Sequence, residues 1–443
     1  MNDAPDIHTI TTAAQAGQPD AQYRLGTLFF SKGDISAALE WLGRAAKSSI
    51  PDAQNLLGVI HLNGIGTPCQ PLKAVELFRA AANRDLKESH FNLAGLLYSG
   101  AVIESDDMDA FRHLLRAAEL NHRPALRILG YLYSINDDTE SKKLSTQCLQ
   151  AAALLGDAHS EYALGMRYLE GTDVDVNIED GIYWLVQAAN KNLYCAGLRL
   201  KLLMDEIGEK RIQNIMLTHV ADTKGIATLA LELHNPKISI QTVSNSSKKT
   251  KAVSEYPGIL TDDLCDYLVN IAAPRLLPSG VVNPITGNPL KTSNRTSSSM
   301  NYQLSMYDMV VGHICRRLAA LVDLPTSHAE PISVLRYLPG EEYKPHHDYF
   351  TADEQGMPQV QDANGQRTVT VFMYLNKVDE GGETEFPRLS IKVLPEKGKA
   401  VAFPNCDAKG QPDPDSLHAG LPVIQGEKWL ATLWFRERPF VWI

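Results

Sequence analysis

The chain has no stretch approaching the roughly 18 consecutive apolar residues that a membrane-crossing helix needs. Its first residues, Met1-Asn2-Asp3-Ala4-Pro5-Asp6, contain no basic residue and lead into no apolar core, so no secretory signal is read there and a cytoplasmic protein is expected. The six cysteines (Cys69, Cys148, Cys195, Cys265, Cys315, Cys406) are far apart and form no CxxC pair. That pattern argues against a disulfide framework or a zinc knuckle and for buried, reduced thiols. Basic residues are the minority: 42 Lys and Arg against 52 Asp and Glu leave a net charge of −10. A net acidic chain has no general attraction for nucleic acid or an anionic membrane surface, and neither is expected as a partner.

The length of 443 residues is enough for several domains at about 100–200 residues each, and 44% hydrophobic residues exclude wholesale disorder. The first half is periodic. Ala45-Ala46, Ala81-Ala82, Ala117-Ala118, Ala152-Ala153 and Ala188-Ala189 recur every 35–36 residues. In phase with them run Leu25-Gly26, Leu57-Gly58, Leu129-Gly130 and Leu164-Gly165, with Leu93-Ala94 as the variant. Each unit reads as two helices. In the first, Leu25, Leu28 and Phe29 form one apolar stripe, and Ala38, Trp41, Leu42 and Ala45 form its partner, with a turn at Ser31-Lys32-Gly33-Asp34 between them. Small residues let neighbouring backbones approach, and a lone hairpin cannot bury its apolar face, so the units are expected to stack into a solenoid. The pattern resembles the Sel1-like repeats, relatives of the tetratricopeptide family, over about residues 10–194. Ala13-Ala14 fits a capping half-repeat and residues 195–222 a closing helix pair. The resemblance implies protein binding or scaffolding; the alternative is an array that only stabilises or spaces the second domain.

The expected organisation is a helical array over 1–222, a linker with a first strand over 223–254, and a second domain over 255–443. Residues 236–243 read as a strand, followed by a polar turn. Helices are expected near Asp262–Ala273 and Tyr307–Val322. Beyond them, strands are expected at Ile332–Tyr337, Thr368–Leu375, Lys399–Phe403 and Trp429–Phe435, which is the order of an α+β domain built on a sandwich or barrel. Each half has its own apolar pattern, so each is expected to hold its own core, and a chain beginning near residue 230 is expected to fold.

Three residues carry the chemistry. His346 and Asp348 are spaced i, i+2, which on a strand projects both side chains from one face. With the distant His418 they make two histidines and a carboxylate, a set that holds Fe(II) and leaves positions open. His347, between them, should face away. Lys428 lies ten residues after His418. A buried lysine needs an anion to stay charged, and a dicarboxylate chelating the iron at one end would supply it at the other.

Around these residues run Arg367–Asn376, Gly381-Gly382-Glu383-Thr384-Glu385-Phe386-Pro387, Ala273-Pro274-Arg275-Leu276 and Asn294-Arg295-Thr296-Ser297. From about 255 to 438 the chain resembles the catalytic domain of the prolyl 4-hydroxylase family of Fe(II)/2-oxoglutarate dioxygenases. The resemblance implies a double-stranded β-helix (jelly roll), with iron on His346, Asp348 and His418 and 2-oxoglutarate and O2 as co-substrates. It implies that Lys428 pairs with the far carboxylate of 2-oxoglutarate, with hydroxyl contacts from Tyr337 and Thr384 and with Tyr374 nearby. By the same analogy ascorbate serves as reductant. Peptide-contacting positions match Tyr343, Arg367 and Trp434, while Arg436 stands where a relative presents a histidine, which leaves the substrate open. Each has a plainer reading: Tyr337 and Tyr374 as core aromatics, Thr384 as a turn hydroxyl, Arg367 as an ion-pair partner, Trp434 as core. The function implied is hydroxylation of a prolyl residue in a protein or peptide recruited by the repeats. The alternatives are the same chemistry on a small molecule or another side chain, and a non-catalytic repeat adaptor.

Overall fold

The computed structural model describes residues 7–100, 102–136, 138–218, 248–249, 252–279, 281–282, 289–290, 294–350, 364–407 and 409–440. The strand read at 236–243 lies outside them. The array comprises helices α1 (Ile7–Gln15), α2 (Pro19–Ser31), α3 (Ile35–Lys47), α4 (Pro51–Asn63), α5 (Pro71–Ala82), α6 (Lys87–Ser99), α7 (Asp107–Glu119), α8 (Arg123–Tyr133), α9 (Thr139–Leu154), α10 (Ala158–Glu170), α11 (Ile178–Asn190), α12 (Tyr194–Ile207) and α13 (Glu209–Thr218). Their starts reflect capping chemistry. Proline opens α2, α4 and α5, while Asp34, Asp106, Asp138, Asp157 and Asn177 accept backbone N–H groups at the starts of α3, α7, α9, α10 and α11.

The Leu-Gly slot is a packing device. A Cβ on Gly26 would fall 2.7 Å from Leu42 Cγ, and one on Gly58 would fall 2.5 Å from the Phe78 ring. Gly130 and Gly165 meet Leu149 and Leu185 in the same way, at 2.7 and 2.8 Å. Each glycine therefore lets the two helices of its hairpin close on one another. The capping role of Ala13-Ala14 and the closing pair are both present: Ala14 is fully buried where α1 packs on α2, and α12 and α13 pack on α11.

The second half carries α14 (Asp262–Ala272) and α15 (Met309–Leu321), two larger antiparallel sheets and, among the described residues, two two-stranded pairs, Glu380–Gly381 with Val423–Gln425 and Val281–Val282 with Pro289–Leu290. The larger sheet runs in the order 248–249, Ser254–Tyr256, Ala400–Pro404, Arg367–Tyr374, Lys428–Arg436, Ser333–Tyr337, Ser298–Asn301, Leu277–Pro278. The smaller runs Ile391–Val393, Thr384–Phe386, His418–Gly420, Tyr343–His346. This is the jelly-roll arrangement expected. Phe372, Tyr374, Phe386 and Phe403 fill the space between the sheets.

The expectation that each half holds its own core is met in part: the space between the sheets and the first repeats hold clusters of their own, but the largest cluster spans both halves. The outer face of the larger sheet (Trp429, Ala431, Leu433, Phe435) packs on α14 and α15, and these pack on the array, so one apolar cluster takes in residues from Leu62 to Phe435. The first helices of successive hairpins make this joint: α4 meets the turn Leu304–Met306, α6 and α8 meet α15, and α10 and α12 meet α14. Gly95 on α6 lies against the Tyr307 carbonyl. Tyr162 Oη donates to Asp266 at 2.7 Å, Cys195 N to Asn270 Oδ1 at 2.9 Å, and the Arg316 guanidinium lies 4.0 Å over the Tyr98 ring. Apolar residues on the array are spaced for helix packing whatever they pack on, so periodicity could not distinguish repeat–repeat from repeat–sheet contact.

Candidate active site

The strand Lys428–Arg436 sorts its side chains by parity. Lys428, Leu430, Thr432 and Trp434 face a cleft of about 620 Å³ between the sheets, while the odd-numbered residues face the helices. At the centre of the cleft, His346 and His418 are directly opposed in the register of the smaller sheet. Their rings are 4.3 Å apart. Each Nδ1 lies against a backbone carbonyl two residues upstream, Lys344 O at 2.8 Å and Ser416 O at 2.9 Å. A carbonyl only accepts, so each Nδ1 carries the proton and each Nε2 keeps its lone pair.

Asp348 completes the group, with Oδ1 3.6 Å from His346 Nε2 and Oδ2 3.8 Å from His418 Nε2. One ligand atom from each of the three residues lies within 4.8 Å of the others. The strand itself stops at His346, where its partner strand begins, so Asp348 sits in the bend beyond rather than on the strand as expected. Burial pushes its carboxyl up, but His418, His346 and Arg367 outweigh that and hold it below the usual carboxylate range. Burial, and then His418, press the His346 imidazole down to about 3, which keeps it neutral. Two imidazole Nε2 atoms and a carboxylate held ionised are the donor set that suits Fe(II), and the residues fit that ion. His347 takes no part: its Nε2 donates to the Pro414 carbonyl at 3.2 Å.

Two supporting residues were not read from the sequence. Thr370 Oγ1 donates to Asp348 Oδ2 at 2.8 Å and in turn accepts from Asn405 Nδ2 at 2.8 Å. Thr370 is a buried polar residue between Val369 and Val371, a period-two interruption that marks it as facing the site.

One end of the cleft holds Lys428, 1% exposed, with Nζ 5.4 Å from the Tyr337 and Tyr374 ring centroids. Among the described residues no carboxylate forms an ion pair with it. Burial lowers its ammonium to about 7, offset in part by Glu383. A buried cation without a partner anion fits a ligand carboxylate. Tyr337 and Thr384 line this end. Tyr374 lies beneath it: its hydroxyl donates to Thr384 Oγ1 at 2.7 Å and orients that side chain.

At the other end Tyr343 stacks on His346, ring centroids 3.4 Å apart, with the Arg295 guanidinium 5.0 Å over its outer face. Arg367 lines the cleft between Trp434 and Phe350, 4.0 and 5.0 Å from their rings, and forms a two-point pair with Glu330 at 2.7 and 2.8 Å. Arg436, expected among the substrate contacts, is 3% exposed and lies outside the lining. It binds Glu330 Oε1 at 3.1 Å and the Gly365 carbonyl at 2.6 and 3.0 Å. Its guanidinium serves the same carboxylate as Arg367, a long-range pairing that no local pattern reveals.

Both halves of the chain are similar to known proteins. The model of the 2OG-Fe(II) oxygenase superfamily matches residues 332–436, and that of the Sel1 repeat matches 19–49, 51–86, 87–122 and 158–193. Prolyl 4-hydroxylase 1 of Arabidopsis thaliana is 41% identical over 193 residues, covering 40% of this chain and 66% of the relative. Probable prolyl 4-hydroxylase 8 of the same plant is 37% identical over 204 residues, covering 42% and 68%. The chain thus spans about two thirds of these relatives' length. A viral collagen prolyl hydroxylase from Paramecium Bursaria Chlorella virus-1, solved with 2OG, is 29% identical and covers 42% of this chain and 96% of its own, with a TM-score of 0.34. The chain belongs to the 2OG-Fe(II) oxygenase superfamily, in the family of the prolyl 4-hydroxylases, and carries Sel1 repeats ahead of its catalytic domain.

Proposed function

We propose that this protein hydroxylates a prolyl residue of a protein or peptide, using Fe(II), 2-oxoglutarate and O2. The observation that carries the proposal is the pairing, in one cleft, of the His346–Asp348–His418 group with a buried Lys428 that forms no ion pair among the described residues. With iron bound, O2 would be the oxidant: one of its oxygen atoms would enter 2-oxoglutarate as that is oxidised to succinate and CO2, and the other would turn a substrate C–H into C–OH.

The protein's own part is binding and orientation. Two Nε2 lone pairs and the Asp348 carboxylate would hold the ion, and the Asn405–Thr370 relay fixes the carboxylate. Lys428 takes the far carboxylate of 2-oxoglutarate, with the Tyr337 and Thr384 hydroxyls beside it. Tyr343 and Trp434 wall the substrate end, and the Glu330–Arg367 pair holds that wall in place. Arg436 acts through Glu330 rather than on the substrate.

Contact with a protein partner is proposed for the outer helices of the array, such as α3, α5 and α9, since α4, α6, α8, α10 and α12 already pack on the catalytic half. Ascorbate as reductant and a cytoplasmic setting complete the proposal; six free thiols are in keeping with a reducing compartment.

The test is Lys428→Ala in the full chain. The KM for 2-oxoglutarate should rise about 100-fold or more, because leaving one member of a buried charge pair alone costs about 3–5 kcal/mol. Iron binding should be retained. An unchanged KM would place the co-substrate elsewhere.

A further inference from the structure

Lys428 occupies a terminal position in the ladder. It is the first residue of its strand, its cross-strand partner Tyr337 is the last residue of the neighbouring strand, and Gly426 (φ +82°) turns the chain just before it. Terminal pairs of a ladder fray, and a frayed pair would move the ammonium relative to the iron ligands. Two fastenings oppose this. Within the catalytic half, Asn376 brackets the peptide: its Nδ2 donates to the Glu427 carbonyl at 2.8 Å, and its Oδ1 accepts from Trp429 N at 2.7 Å.

The second fastening comes from the array. Tyr194, the first residue of α12, directs its hydroxyl onto both carboxylate oxygens of Glu427, at 2.6 and 2.7 Å. Its ring meets the Trp429 indole edge-on, with centroids 5.3 Å apart. The residues on either side of Lys428 are therefore both gripped by one repeat side chain. That side chain is itself seated, because the next residue, Cys195, donates its N–H to Asn270 on α14.

We infer that Tyr194 is a positioning residue for Lys428, so that the repeat array completes the 2-oxoglutarate anchor of the catalytic half. The inference rests on the role proposed for Lys428. Tyr194 touches neither co-substrate nor iron ligand; it acts on where the ammonium stands. The array is then a working part of the oxygenase and not only a spacer.

The experiment uses the full chain loaded with Mn(II) and measures 2-oxoglutarate binding by calorimetry, alongside steady-state kinetics. Tyr194→Phe keeps the ring packing and removes the hydroxyl. It should raise the Kd and KM for 2-oxoglutarate about tenfold, the lower end of what a lost hydrogen bond to a charged group costs. Metal affinity, peptide KM and kcat at saturating 2-oxoglutarate should stay at the wild-type values. Glu427→Ala should reproduce the effect, and Glu427→Gln, which keeps an acceptor for the hydroxyl, should restore near wild-type binding. Wild-type Kd in both Tyr194→Phe and Glu427→Ala would overturn the inference, as would a uniform fall in kcat with no selective change in KM. Failure of the wild-type chain itself to bind 2-oxoglutarate would instead overturn the functional reading on which the inference stands.

Discussion

His346 and His418 face each other directly across two antiparallel strands, each with its Nδ1 committed to a carbonyl of its own strand. Two segments far apart in sequence thus deliver two Nε2 lone pairs to one point before any metal arrives. The third donor, Asp348, is free of the ladder and is aimed instead by Thr370.

This division of roles sets the outcome of ligand substitutions. His346→Ala, Asp348→Ala and His418→Ala should each abolish turnover and Fe(II) binding with folding retained. His347→Ala loses a hydrogen bond to Pro414 and no ligand, so it should keep most of its activity. Anaerobic Fe(II) titration with circular dichroism checks this; equal loss in all four variants would contradict the ligand assignment.

Thr370→Val is nearly isosteric and removes the hydroxyl that fixes Asp348. Metal affinity should fall about 10–100-fold, the usual cost of losing an outer-shell partner. Asn405→Ala should have a smaller effect in the same direction, because it acts through Thr370. Competition with a chelator reads both.

The affinity for 2-oxoglutarate should depend on pH through Lys428. Burial leaves its ammonium titrating at about 7 in the free protein. A bound carboxylate favours the charged form and raises that value, so above pH 7 binding must take up a proton. The Kd should be flat below about pH 7 and rise by up to about tenfold per pH unit above it. Lys428→Ala should remove the dependence. Calorimetry in buffers of different ionisation enthalpy would show the proton uptake directly.

The shared core makes the joint between the halves a determinant of folding. Gly95→Ala drives a methyl group into the Tyr307 carbonyl and should cost about 1–3 kcal/mol. Gly43→Ala, within α3 and facing open space, should be neutral or stabilising. Thermal unfolding of the full chain should show one transition. A chain beginning near residue 230 exposes the faces of α14 and α15 that the array covers and should be insoluble or unfolded. Two well-separated transitions would contradict a common core.

Much of this was legible in the sequence. The Leu-Gly and Ala-Ala markers gave the hairpins because they reflect close packing within each unit. The longer strands were visible because Val369, Val371 and Met373 alternate with inward-facing residues. The smaller sheet was not: His418–Gly420 and Thr384–Phe386 are three residues each and are composed for chemistry, so they show no alternation. The His-x-Asp spacing concealed the bend at Asp348, since a strand and a turn can present the same pair of side chains. The Tyr194–Glu427 bond joins residues 233 positions apart, and the Glu330 pairings with Arg367 and Arg436 span 37 and 106; only the folded chain brings them together.

The central claim, that this cleft hydroxylates proline, is met most directly by mass spectrometry of a proline-containing peptide. The peptide is incubated with the full chain, Fe(II), 2-oxoglutarate and O2. The expected result is the mass of one oxygen added to proline, with succinate formed in equal amount and no addition in Asp348→Ala. Succinate formed at the same rate with and without peptide, and an unmodified proline, would contradict it.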